Sequence, residues 1–219
     1  MGNHRNRFLE ELYESPMVII YRGVQAEDCL QMTKALAEAG IRHFEVTMNS
    51  PGAIDAIRLL AELAGDGVRI GAGTVLTAEQ VREVSEAGGQ FIISPNTNEE
   101  VIRTTKRLGL HSIPGAFTPT EIIHARECGA DIVKVFPVNV VGPEYIKQLR
   151  GPLQDIPLMA TGGVRLDMVE ELFLSGVNAI GLGVHLLGDE FVASKDWRGL
   201  RRQAEKFLAA AGARGRRIS

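Results

Sequence analysis

Cys128-Gly129-Ala130-Asp131-Ile132-Val133-Lys134-Val135-Phe136-Pro137 shows the unit from which this chain is built. A small residue and a glycine close a helix, and a short apolar run then reads as a buried strand. The same small-residue-plus-glycine step recurs at Ala39-Gly40, Ala87-Gly88 and Ser175-Gly176, each time shortly before an apolar run. Eight runs result: Met17–Tyr21, His43–Thr47, Arg69–Gly73, Phe91–Ser94, Ser112–Gly115, Ile132–Phe136, Leu158–Thr161 and Ala179–Gly183. They start roughly 20 to 26 residues apart, which suits a strand, a helix and two short loops. The segments between them carry helix marks. Ala26–Ala39 has apolar residues near helical spacing and stops at Gly40, and Leu166–Leu174 stops at Ser175-Gly176. Thr77-Ala78-Glu79-Gln80 has the pattern of a capping box, and Thr118-Pro119-Thr120-Glu121 puts a proline in a first turn.

Eight βα units in one run predict an α/β fold of the (β/α)8 TIM-barrel type. An open doubly wound sheet is the alternative, and it needs a topological switch point. Residues 4–14 are expected to form an extra N-terminal helix, and the basic stretch 212–219 a frayed tail. No linker interrupts the chain, so residues 1–219 read as a single domain.

Composition narrows the function classes. The chain has 219 residues, 45% hydrophobic and 23% charged, enough to bury a core without staples. A net charge of −3 makes no general case for nucleic acid or an anionic membrane. Met1 to Glu14 lacks an apolar signal core, and no apolar stretch is long enough to span a bilayer. Cys29 and Cys128 fall in expected helices and read as buried free thiols, which fits a cytoplasmic protein. His4, His43, His111, His124 and His185 show no metal-binding spacing, and no aspartate cluster suggests magnesium.

Lys134 is the residue that stands out. An ammonium on a buried strand loses hydration, and burial lowers a lysine pKa until the free amine becomes available. A free amine is what imine chemistry requires. The plainer reading is an alkyl stem along the strand with its head in water. Barrel active sites lie at the C-terminal ends of strands. Those ends hold Arg22, Glu45, Thr47, Asn49, Thr74, Pro95, Lys134, Thr161, Gly162, Gly163 and Gly183. In His43-Phe44-Glu45-Val46-Thr47, alternation puts Glu45 and Thr47 on the face opposite Phe44 and Val46. Glu45 then points into the barrel, where it is either a proton shuttle or the partner of Lys134 in a structural ion pair. Thr161-Gly162-Gly163 and Gly181-Leu182-Gly183 follow the seventh and eighth strands, the usual place for a phosphate. Arg22 is placed to grip a carboxylate, and Thr74 to hydrogen-bond one.

Taken in order, Glu45-Val46-Thr47, Ile70-Gly71-Ala72-Gly73-Thr74-Val75-Leu76, Ile93-Ser94-Pro95-Asn96, Ile113-Pro114-Gly115, Val133-Lys134-Val135-Phe136-Pro137 and Thr161-Gly162-Gly163-Val164 form a specific set. The chain resembles, from about Pro16 to Gly188, the class I aldolases that cleave 2-keto-3-deoxy-6-phosphogluconate, 2-keto-3-deoxy-6-phosphogalactonate or 4-hydroxy-2-oxoglutarate. The resemblance implies a (β/α)8 barrel, a homotrimer, a small-molecule 2-keto acid substrate, and neither metal nor other cofactor. Lys134 matches the Schiff-base lysine and Glu45 the general acid/base. Thr74 and Pro95 match residues that line the pyruvate pocket, and Gly162, Gly163 and Gly183 the phosphate turns. Two positions depart. Asn49, beside Ser50-Pro51, stands where the phosphogluconate type often has arginine, so Arg22 takes over carboxylate binding as in the phosphogalactonate type. Val184, followed by His185, stands where a serine often helps to hold phosphate, which leaves only backbone donors at Val184. The expected reaction is a retro-aldol cleavage to pyruvate and glyceraldehyde 3-phosphate. An unphosphorylated 2-keto acid, a phosphosugar isomerase or epimerase, and a non-catalytic barrel are the alternatives.

Overall fold

The computed structural model describes residues 2–63 and 67–212. Helix α1 (Gly2–Glu14) leads into β1 (Met17–Tyr21), and helix and strand then alternate. The following elements are α2 (Ala26–Glu38), β2 (His43–Thr47), α3 (Ala53–Ala61), β3 (Arg69–Gly73), α4 (Ala78–Glu86), β4 (Phe91–Ile93), α5 (Glu99–Arg107) and β5 (His111–Ile113). After these come β6 (Gly115–Ala116), α6 (Pro119–Cys128), β7 (Val133–Val135), α7 (Val138–Arg150), β8 (Leu158–Thr161), α8 (Leu166–Leu174) and β9 (Ala179–Gly183). A 3-10 turn (Val184–Leu187), α9 (Asp189–Ala193) and α10 (Trp197–Gly212) close the described chain. The expected basic tail lies outside the described residues from residue 213 onward.

All strand pairings are parallel, in the order β5-β4-β3-β2-β1-β9-β8-β7-β6. Among the described residues the sheet has nine strands where eight are expected, because the run Ser112–Gly115 is divided at Pro114. Proline has no N–H to give to the ladder, so the strand breaks there. The two outermost strands, β5 and β6, are thus neighbours in the chain. Ser112 and Pro114 carbonyls accept from the Asp131 and Lys134 amides at 2.9 Å each, which ties this corner to β7. The result is a parallel sheet nearly closed into a TIM-like barrel, without the switch point of an open doubly wound sheet.

The helix boundaries follow local chemistry. Gly40, Gly88, Gly129 and Gly176 all have positive φ (102°, 89°, 112° and 103°), as the recurring helix-ending glycines require. Thr118 and Glu121 form a complete capping box on α6. At α4 only half of that motif forms. Thr77 Oγ1 accepts from the Gln80 amide at 3.2 Å, whereas Gln80 Oε1 reaches the Leu76 amide at 2.7 Å, one residue before the cap.

Period-two alternation sorts the strands into two apolar cores. Alternate residues such as Ile19, Phe44, Val46, Val133, Val135, Ile180 and Leu182 pack outward under the helices. Val18, Phe91, Ile93, Ile113, Ile132, Met159 and Ala179 fill the barrel interior. Phe8 and Leu12 of α1 belong to that inner core, so α1 plugs the N-terminal mouth. Its ring stacks on His111 at 4.1 Å between centroids, and Arg69 clamps Glu11 through both carboxylate oxygens at 2.7 and 2.8 Å. With that mouth filled, the C-terminal end of the barrel is the open one among the described residues. Among the described residues no helix is long and apolar enough to cross a membrane.

Candidate active site

The open end holds a cavity of about 250 Å³. Of the residues singled out in the sequence, Arg22, Glu45, Thr74, Pro95, Lys134, Thr161, Gly162, Gly163 and Gly183 line it. Thr47, Asn49 and Val184 do not. Thr47 is fully buried and its hydroxyl meets Ser50 Oγ at 2.9 Å; Ser50 Oγ in turn accepts from the Gly23 amide at 2.8 Å. Thr47 therefore braces the loops after β1 and β2. Asn49 Oδ1 accepts from Arg22 Nη1 at 3.1 Å, while Thr74 Oγ1 accepts from Arg22 Nη2 at 3.2 Å. The guanidinium is thus aimed by two neighbours, one outside the cavity wall and one in it. Val184 is buried in the outer core, with its side chain away from the cavity. Its neighbour His185 lines the cavity, and its Nδ1 lies 2.8 Å from Asp189 Oδ1.

Ile20, Phe136 and Leu186 complete the lining without having been singled out as site residues. Two of them carry a signal in the sequence. Phe136 is two residues beyond Lys134 and Ile20 two beyond inward-facing Val18, so alternation places both on the inner face. Leu186 sits on the 3-10 turn, which no periodicity announces.

The glycines on the inner face make room for these groups. A Cβ at Gly73 would run into Glu45 Oε1, and one at Gly181 would lie 2.5 Å from Thr161 Oγ1. Register places Thr161 directly opposite Gly181 across β8 and β9, whereas Glu45 pairs with Gly71 across β2 and β3 and reaches Gly73 diagonally. Glu45 and Thr161 occupy the space that the absent side chains leave.

Lys134 is 7% exposed and Glu45 2% exposed. Among the described residues no salt bridge joins them, so the expected alternative of a structural ion pair is not realised. Lys134 Nζ sits 4.7 Å from the Phe136 ring centroid, a cation–π distance. Burial lowers the Lys134 pKa, against the attraction of Glu45 and with added repulsion from Arg22. Burial also pushes Glu45 up to about 7, against the pull of Lys134 and Arg22. Both shifts are toward the neutral form of the group, an amine and a carboxylic acid. Glu45 Oε2 and Thr161 Oγ1 have no hydrogen-bond partner, although both are buried. Unsatisfied polar atoms aimed into one cavity are acceptors and donors held ready for a ligand.

Outside the cavity, the fold gathers one group that linear spacing does not show. His124 and Cys128 show no metal-like spacing with other residues in the sequence, yet the fold brings Glu99 to them. The potential ligand atoms of the three lie within 4.8 Å of one another. The partner comes from a different helix, α5, so linear spacing does not reveal it.

Comparison with known proteins agrees with this geometry. The family model "Aldolase: KDPG and KHG aldolase" matches residues 9–203. An Escherichia coli (strain K12) protein called 2-dehydro-3-deoxy-6-phosphogalactonate aldolase is 36% identical over 196 residues, which cover 89% of this chain and 94% of that one. A solved structure described as native KDPGal is 35% identical, with a TM-score of 0.83, and the match covers 90% of this chain and 95% of that one. A KDPG aldolase from Legionella pneumophila, with pyruvate captured as a covalent carbinolamine, is 29% identical, with a TM-score of 0.81 and coverage of 90% and 96%. The open barrel mouth, its buried amine and the match over nearly the whole chain lead to one conclusion: this chain belongs to the KDPG and KHG aldolase family.

Proposed function

We propose that this protein is a metal-independent class I aldolase that cleaves a 2-keto-3-deoxy-6-phospho sugar acid to pyruvate and glyceraldehyde 3-phosphate. The observation that carries the reading is the buried Lys134 amine, facing the same cavity as a buried, partly unsatisfied Glu45. The Lys134 amine adds to the C2 ketone and forms a carbinolamine. Glu45 supplies the proton with which the C2 hydroxyl leaves as water, giving the iminium. Glu45, now a carboxylate, takes the C4 hydroxyl proton through a water as the C3–C4 bond breaks. The bonding electrons pass into the iminium, and the aldehyde departs. Glu45 returns that proton to C3 of the remaining enamine, and water hydrolyses the resulting imine to pyruvate and free Lys134.

Arg22 grips the C1 carboxylate from its seat on Asn49 and Thr74. Pro95, Thr74 and Thr161 shape the pyruvate end. Gly162, Gly163 and Gly183 hold the far phosphate through backbone N–H groups. Val184 contributes no side-chain donor there. His185 does: Asp189 takes one ring nitrogen and leaves the other for the substrate phosphate. The protein works as a homotrimer in the cytoplasm, with exposed Phe117 and Val140 offering apolar surface for subunit contact.

Incubation with pyruvate and borohydride, followed by intact-mass and peptide analysis, tests the reading. A reduced pyruvate adduct on Lys134 is expected. No adduct on folded protein would return a phosphosugar isomerase or a binding protein to the front. The buried Val184 favours one second reading, an unphosphorylated substrate such as 4-hydroxy-2-oxoglutarate. H185A separates the two: it raises KM for the phosphorylated substrate roughly tenfold or more if His185 holds phosphate. An unchanged KM, with better turnover of 4-hydroxy-2-oxoglutarate, would support the second.

A further inference from the structure

Glu99 opens α5, while His124 and Cys128 lie one turn apart near the end of α6. The Cys128 sulfur is 3.8 Å from His124 Nε2 and 3.9 Å from Nδ1. A carboxylate oxygen of Glu99 falls in the same cluster, all within 4.8 Å. None of the three lines the active-site cavity. We propose that Glu99, His124 and Cys128 form a binding site for a borderline-soft divalent cation, Zn2+ foremost, which staples α5 to α6.

The donor set argues for the ion. Imidazole and thiolate prefer Zn2+ over Mg2+ or Ca2+, which take oxygen ligands. Geometry argues for the number of protein ligands. Tetrahedral zinc, with bonds of about 2.0–2.3 Å, sets neighbouring ligand atoms about 3.3–3.8 Å apart. The Cys128–His124 separations are already at the upper edge of that range. His124 and Glu99 are exposed, so small side-chain rotations bring the set together without moving the helices. Arg103 Nε holds Glu99 Oε1 at 2.6 Å, which leaves the second carboxylate oxygen for the metal. Three protein ligands on a surface leave a fourth position to water. Binding replaces the Cys128 thiol proton with the metal, and the proton passes to solvent; no oxidation occurs.

The full-length protein, stripped with a chelator, would be titrated with Zn2+ by calorimetry and native mass spectrometry. One equivalent per chain is expected, with C128S and H124A each weakening it at least ~10-fold. Thermal midpoints should rise with Zn2+ in the parent alone, because the site exists only in the folded state. Aldol cleavage in both variants should match the parent. Co2+ provides a test that needs no variant: a thiolate charge-transfer band is expected on loading. Absence of that band, failure to bind Zn2+, or equal Zn2+ affinity in parent and both variants would overturn the site.

Discussion

The two ends of the barrel interior hold carboxylates that they treat in opposite ways. At the N-terminal end Asp131 is fully buried, and its Oδ2 accepts from Lys106 Nζ at 2.6 Å and the Ser112 amide at 2.8 Å. Glu11 is clamped by Arg69 through two oxygens. Three residues after Asp131, on the same run, Lys134 faces the other end. There Glu45 and Lys134 share a cavity without a salt bridge, and Glu45 Oε2 has no partner. A buried charge must find compensation or change its protonation state. At the first end the two carboxylates take the former course, while His43, whose buried ring nitrogens have no hydrogen-bond partner, takes the latter; at the second end burial pushes both Lys134 and Glu45 toward their neutral forms.

The contrast breaks most sharply at Lys134. K134A should lower cleavage roughly 10⁴-fold or more while circular dichroism stays unchanged, because the electron sink is formed on that nitrogen. Activity close to the parent would remove the imine from the mechanism.

E45Q comes next, with kcat down about 10²–10⁴-fold through lost proton transfer. It should also alter stability. Glu45 titrates at about 7 when folded. Unfolded, it titrates near 4.3. Between these values the folded state holds the proton that the unfolded state has released. Stability from this group is therefore present below the lower value and falls as pH rises through about 7, by up to ~3 kcal/mol. Urea midpoints for the parent should carry that decline between pH 4.5 and 7, and those for E45Q should not.

At the plug, F8A removes a buried ring from between His43, His111 and Phe91. A loss of about 3–5 kcal/mol is expected by denaturant unfolding, with kcat per folded molecule preserved. A large fall in kcat would mean that the two ends are mechanically coupled.

His43 sharpens the comparison through pH. Burial holds its pKa down at about 3. The unfolded side chain takes a proton near 6.5. Here the unfolded state binds more protons between the two values. Stability is full above the upper value and is lost as pH falls, by about 3 kcal/mol between pH 7 and 4. H43L should flatten this acid limb. Glu45 and His43 lie two residues apart on one strand and thus bias stability with opposite slopes.

Much of this was legible along the chain. Helix-ending glycines marked α2, α4, α6 and α8, because only a positive φ lets the chain leave a helix so tightly. Alternation placed Glu45 inside, since strand side chains have a period of two, and a lysine in an apolar run marked Lys134. The division of strand five at Pro114 was missed, although the missing N–H is written in the residue type; the ladder it would have joined lies twenty residues away. Thr47 had the right face yet went to Ser50, a choice decided by the loop that brings Ser50 back.

By itself the sequence determined the rhythm of elements, the inward faces and the residue types at the strand ends, because propensity and alternation act over a few neighbouring residues. Tertiary structure alone decided which groups meet: Arg22 with Asn49 and Thr74, His185 with the cavity, Glu99 with His124 and Cys128, and the absence of a Glu45–Lys134 salt bridge. Those meetings depend on closing a sheet whose edges are adjacent in the chain, and on packing distant helices side by side. Energies of burial and pairing follow from such distances, which no local pattern records.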